Sequence, residues 1–215
     1  MKNKLFTVAM GIALTATAIS ASAQKVYKEG IATISMNAMG QSIEAKNYFR
    51  TDSSAVAFNS GPAAIKVLTD AKGTYMAIMV DVPVASIKKA AIATPAEVEE
   101  QMSKIPVLDF KPGTETKVIN GFNCKKVIAT DPKTSKSYDI WVTNDVSLPV
   151  NSASKFYAKA GGFPIQYVTF QNGQASEVTI KSIVEQKVPA GTFSVPADFD
   201  KISMDDLKSM GGGGN

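Results

Sequence analysis

Ser86-Ile87-Lys88-Lys89 and Ser152-Ala153-Ser154-Lys155 each place a lysine three residues after a serine. In that spacing a desolvated lysine amine can take the serine proton and leave an oxygen nucleophile. Cys124 is the chain's single cysteine and is followed by Lys125 and Lys126, two cations able to favour a thiolate if they stand close to it. Glu97, Glu99 and Glu100 gather acids that could serve a metal or acid-base chemistry. These are the chain's candidates for reactivity, and each has a simpler reading.

Serine-lysine acyl transfer needs its first motif at the start of a buried helix and a Lys-Thr-Gly element on a strand. Lys133-Thr134-Ser135 is similar to that element, yet it follows Pro132 in a turn-rich stretch, so the spacing reads as coincidence. On an extended strand Lys125 points away from Cys124 and Lys126 leans off, which leaves a small, half-buried packing residue. The three glutamates sit at the opening of a helix, where carboxylates complement the backbone dipole. Histidine is absent, which excludes Ser-His-Asp and Cys-His catalysis and every histidine-ligated metal or haem site. One cysteine excludes thiolate cages and internal disulfides. No phosphate loop, dinucleotide fingerprint or calcium loop is visible. The chain is therefore read as non-enzymatic, with no metal and no cofactor.

Apolar side chains offer a different chemistry. Met36, Met39, Met76 and Met79 fall on or beside strand-like runs, and flexible thioethers suit surfaces that accept variable apolar guests. Aromatic residues raise the same question, as core filling or ligand lining. The candidate lining is Met36, Tyr48, Phe58, Met76, Met79, Trp141 and Tyr167.

Strand-length runs must position these residues. Gly30 to Met36, Ser42 to Phe49, Ser54 to Phe58, Ala64 to Leu68 and Thr74 to Val80 are separated by turn residues, which predicts an antiparallel meander. Tyr75 to Val80 is apolar at both parities and is placed centrally, with both faces covered. Cys124 to Thr130 and Ser137 to Thr143 flank 131–136 and predict a hairpin. Asn172-Gly173 suits a two-residue type I′ turn. It pairs Ile165 with Ile180, Tyr167 with Val178 and Thr169 with Ser176 on one face, and Gln166 with Thr179 and Val168 with Glu177 on the other. Thr94, Pro95 and Glu97 supply an N-cap, a first-turn proline and a capping-box acid for a helix that Pro106 stops. Short helices are also predicted over 151–160 and after Ser203.

The ends of the chain carry location rather than chemistry. Lys2 and Lys4 precede an apolar run, and Ala21-Ser22-Ala23 stands before Gln24, the layout of a secretory leader cleaved after Ala23. The run is too short to span a bilayer, so residues 1–23 read as a leader and 24–210 as one domain of a periplasmic or secreted protein. The flexible tail is 211–215. Without Lys2 and Lys4, 21 of the 23 basic side chains remain against 19 acidic ones, and Arg50 is the sole arginine. Nucleic acid is not an expected partner.

Residues 119–145, 161–170 and 192–202 together carry Gly121, Cys124, Trp141, Val142, Thr143, Gly162, Pro164, Phe193, Val195 and Pro196. In order and spacing these segments resemble a domain-of-unknown-function family of exported bacterial proteins. That family is in turn similar to the periplasmic lipoprotein carriers of the Lol system. The resemblance implies a mainly β fold: a strongly curved antiparallel sheet, an incomplete barrel, with a few short helices on its concave side. It also implies a concavity able to take a lipid or a lipoprotein acyl chain. The alternative is a structural or protein-interaction module of the cell envelope with a filled core.

Overall fold

Alternating strand sequences joined largely by short turns assemble here into a mainly β structure. The computed structural model describes residues 24–38, 41–149, 152–171 and 173–211. The leader, Met39, Gly40, Val150, Asn151, Asn172 and the tail beyond Gly211 lie outside the described residues. Strands run in chain order as β1 (Lys25–Val26), β2 (Gly30–Ala38), β3 (Gln41–Arg50), β4 (Ser53–Ser60), β5 (Ala63–Asp70), β6 (Met76–Val82) and β7 (Ile87–Ile92). There follow β8 (Asp109–Ile119), β9 (Phe122–Thr130), β10 (Ser137–Thr143), β11 (Val146–Ser147), β12 (Phe163–Gln171), β13 (Gln174–Glu185) and β14 (Asp200–Ile202). Helices are α1 (Pro95–Ser103), α2 (Ser152–Lys155) and α3 (Met204–Gly211).

Twelve strands form one open sheet in the order β14-β7-β6-β5-β4-β3-β2-β13-β12-β10-β9-β8. It consists of two antiparallel meanders, β2 to β7 and β8 to β13, joined where β13 pairs with β2. The ends, β14 and β8, do not meet, so the barrel is incomplete as expected. Among the described residues of this sheet only β14 departs from the antiparallel pattern, pairing with β7 in parallel. A separate parallel pair, β1 with β11, ties the Gln24 end to 145–147 through Lys25 N–H donating to Asp145 O at 2.8 Å.

Local chemistry sets these elements. The predicted register of β12 and β13 forms, with Gln166 opposite Thr179, Tyr167 opposite Val178, Val168 opposite Glu177 and Thr169 opposite Ser176. The 131–136 hairpin loop is held by Asp131, which accepts from Lys133 N–H at 2.9 Å and Thr134 Oγ1 at 2.8 Å. At α1, Thr94 and Glu97 exchange both capping-box hydrogen bonds. The helix stops at Ser103, earlier than Pro106 alone requires. The helix predicted over 151–160 is only the one turn of α2, because hydrogen bonds from Tyr157 N–H to Ser154 O and Ala160 N–H to Tyr157 O tighten the chain into turns ahead of Gly161 at φ 78°.

Each face of the sheet carries its own cover. On one, Val98 and Met102 of α1 and Met204 and Leu207 of α3 pack on Met76, Ile78 and Ala91. Further along the same face Tyr157, just after α2, lies edge-on to Tyr167 at 5.3 Å between ring centres. On the other face Phe193, Val195 and Phe199 of the stretch leading to β14 cover Ala55, Leu68, Ala77, Met79 and Ala90. The alanines let that irregular segment approach closely. β6 is covered on both sides from Met76 to Met79, as expected, but not at Val80, and it lies third from one end of the sheet rather than at its centre.

Leu68 and Ile65 test this two-faced cover. Leu68→Ala should cost about 2–5 kcal/mol, as for a filled core site, while Ile65→Ala, facing the other way and half-buried, should cost about half of that or less. Urea unfolding midpoints at unchanged slope make the comparison. Equal losses would contradict the face assignment.

Candidate functional site

Side chains alternate between the faces of a strand, and residues opposite each other across a ladder share a face. The ladder Tyr167, Val178, Met36, Ile43 and the ladder Ala45, Phe58, Ile65, Val80 put Met36, Phe58, Met76 and Tyr167 on the helix-bearing face. The ladder Tyr48, Ala55, Leu68, Ala77 puts Tyr48 and Met79 on the opposite face. Trp141, opposite Gln166, joins them there. The seven candidate lining residues are therefore divided four and three by the sheet itself. Met79, Trp141 and Tyr167 are at most 9% exposed and serve as packing. Lys117 closes over the Trp141 ring at 3.9 Å and donates to Gln166 Oε1 at 3.1 Å.

One stretch of the helix-bearing face is covered less well. Val56, Val67 and Ile78 form one row across β4, β5 and β6, and Phe58, Ile65 and Val80 form the next. All six are half-buried. Traced from β13 to β6, the second row begins with buried Ile180, Ile34 and Ala45 and then opens at Phe58. Val56 and Phe58 touch the main core, and Ile78 touches the cluster under α1 and α3. Among the described residues, Ile65, Val67 and Val80 stand outside all three packed clusters. The belt is the gap between two sets of cover. Of the seven sequence candidates only Phe58 belongs to it. The signal that could have found the rest is the ladder of β-branched residues at alternate positions of β5 and β6.

The reactive candidates occupy structural positions. Cys124 is 1% exposed, and burial pushes its thiol up to about 11, so it is protonated at neutral pH. Ser86 is exposed on a left-handed backbone at φ 52°, while Lys88 pairs with Asp198 at 2.6 Å and Lys89 with Asp200 at 2.8 Å. The Lys-Thr-Ser triplet is the folded loop on Asp131. Among the described residues no three of His, Cys, Asp and Glu gather as a metal site. Two shallow depressions of mixed lining flank Arg50, about 380 Å³ beside Lys28 and Asp52 and about 240 Å³ beside Pro189 and Phe193. None of the seven candidate residues lines either one.

Of the residues that carried the family resemblance, Cys124, Val142, Thr143, Gly162 and Pro164 meet where β9, β10 and β12 pair. Thr143 lies opposite Cys124, donates to Asn123 O at 2.8 Å and accepts from Asp145 N–H at 3.0 Å. A Cβ on Gly162 would stand 2.9 Å from Thr143 O, which only glycine avoids. Gly121 at φ 87° follows Asn120 at φ 50°, an Asn-Gly turn whose two centres are left-handed, joining β8 to β9. Phe193 and Val195 cap the other face. Across residues 6–199 the sequence matches a domain of unknown function, DUF4412. The chain belongs to the DUF4412 family.

A search of curated proteins finds no match to this DUF4412 chain. Among solved structures, one described as PNGF-II in space group C2 is similar in fold, with TM-score 0.50 and 16% identity. The match covers 85% of this chain and 32% of that one, so this chain spans about a third of it. An uncharacterized conserved protein from Thermus thermophilus matches at TM-score 0.49 and 9% identity, over 82% of this chain and 91% of that one. Among the described residues of this DUF4412 protein no helix is long and apolar enough to cross a membrane.

Cys124 provides a direct check on the inert reading. A thiol reagent at neutral pH should leave the folded protein unlabelled and modify Cys124 only as denaturant unfolds it. Rapid labelling of the native protein would contradict a buried, protonated thiol.

Proposed function

We propose that this DUF4412 protein is a non-enzymatic binding protein of the periplasm that takes an apolar chain, from a lipid or a lipoprotein, on the belt of β4 to β6. The observation that carries this reading is the pair of in-register rows Val56-Val67-Ile78 and Phe58-Ile65-Val80, half-buried between two groups of covering elements. Covering such a surface with hydrocarbon yields about 0.8 kcal/mol per buried methylene, so a belt of this kind can hold a chain without any reactive group. The open sheet with helices on one face supports the likeness to lipoprotein carriers, which remains a likeness of architecture. The protonated Cys124 and the ion-paired Lys88 and Lys89 support a role without catalysis.

A second reading is an envelope interaction module with a filled core, favoured by Met79 and Tyr167, which are 4% and 9% exposed. Titration with a fluorescent fatty acid separates the two. Ile65→Glu, which sets a charge in the belt and leaves the buried core untouched, should weaken binding about tenfold or more while the circular dichroism spectrum is unchanged. Wild-type protein that binds no fatty acid, or a variant that binds as well as wild type, would end the apolar-chain reading.

A further inference from the structure

The two faces of β2 to β7 differ in charge as much as in cover. On the face turned away from the helices stand Glu44, Lys46, Arg50, Lys66, Asp70, Asp81 and Lys88. On the helix-bearing face of the same strands, Lys89 is the one ionisable side chain among the described residues. It lies directly opposite Val80 and so continues the row Phe58-Ile65-Val80 by one strand. Its side chain is 31% exposed, and its ammonium meets Asp200 Oδ2 at 2.8 Å. Asp200 sits opposite Lys89 on β14, with its own side chain 73% exposed.

We infer that the belt selects a single-chain amphiphile with an anionic head, the hydrocarbon lying along Phe58, Ile65 and Val80 and the head meeting Lys89. The inference rests on the apolar-chain reading above and adds the class of ligand to it. From β4 to β7 is three strand intervals, about 14 Å at the usual spacing, the reach of a medium-length alkyl chain. A row that is apolar for three strands and cationic at the fourth matches a molecule of the same pattern. The four-carbon stem of lysine lies along apolar surface while its ammonium reaches water. Asp200 holds that ammonium in place until an incoming acid competes for it. Because the Asp200 carboxylate is exposed and remains hydrated when displaced, the exchange is inexpensive.

Three probes of equal chain length test this: dodecanoate, monododecyl phosphate and dodecanol, each titrated against the purified protein and two variants. Lys89→Gln should weaken the two acids about tenfold, the scale of one charge-assisted contact, and leave dodecanol unchanged. Asp200→Asn, which removes the competing carboxylate, should tighten both acids, and it tests the idea even if Lys89→Gln fails to fold. Loss for one acid alone would identify a carboxylate or a phosphate head. If all three probes bind both variants as they bind wild type, Lys89 does not read the head group, and the apolar reading stands without this inference. Wild-type protein that binds none of the probes overturns the apolar reading itself.

Discussion

A pleated strand sends alternate side chains to opposite faces, so a broad open sheet needs cover on both sides or leaves part of itself wet. Every other feature of this protein follows from how that demand is met. The stretch carrying Phe193, Val195 and Phe199 covers one face over β4 to β7, where alanines make room for it. Helices α1 and α3 cover the other face over β6 and β7, and Tyr157 covers it over β12. Between those two, on β4 to β6, the apolar ladder continues and the cover does not.

Much of the sheet was legible because its turns and its alternation obey simple sterics. The β12–β13 register follows from Asn172-Gly173 and a period of two, and the α1 start follows from three residue types at fixed spacing. β7 escaped because Lys88 and Lys89 stand side by side and hide the alternation. Each goes to its own face and its own aspartate. β8 escaped because it is an edge strand, mostly exposed, whose Pro112-Gly113 reads as a turn and in fact marks the irregularity that edge strands tolerate. The Asn120-Gly121 turn into β9 carries the same residue signal as the Asn-Gly pair before β13.

The ligand surface was less legible, for a reason built into sheets. Residue type marks an apolar side chain without saying which face it takes, and the methionines and aromatics that drew attention divide between faces and mostly fill space. Ile65, Val67 and Val80 are ordinary β-branched strand residues, and they matter only because nothing in the three clusters lies on them. Cover depends on elements outside the strands themselves, on α1, α3 and the segment after β13. Periodicity along a single strand carries no trace of them. The reactive motifs failed for the converse reason, since serine-lysine spacings and a lone thiol recur by chance and acquire chemistry only from a shared, desolvated setting. Here burial protonates the thiol, and exposed carboxylates take the lysines.

The account stands on the claim that the belt of β4 to β6 faces solvent in the protein without ligand. Methyl NMR with a water-soluble paramagnetic agent reads this directly. The methyl signals of Ile65, Val67 and Val80 should broaden strongly, while those of Leu68, Ile180 and Val178 stay sharp. Equal protection of both groups would mean that the belt is covered, and the proposed binding surface would not exist.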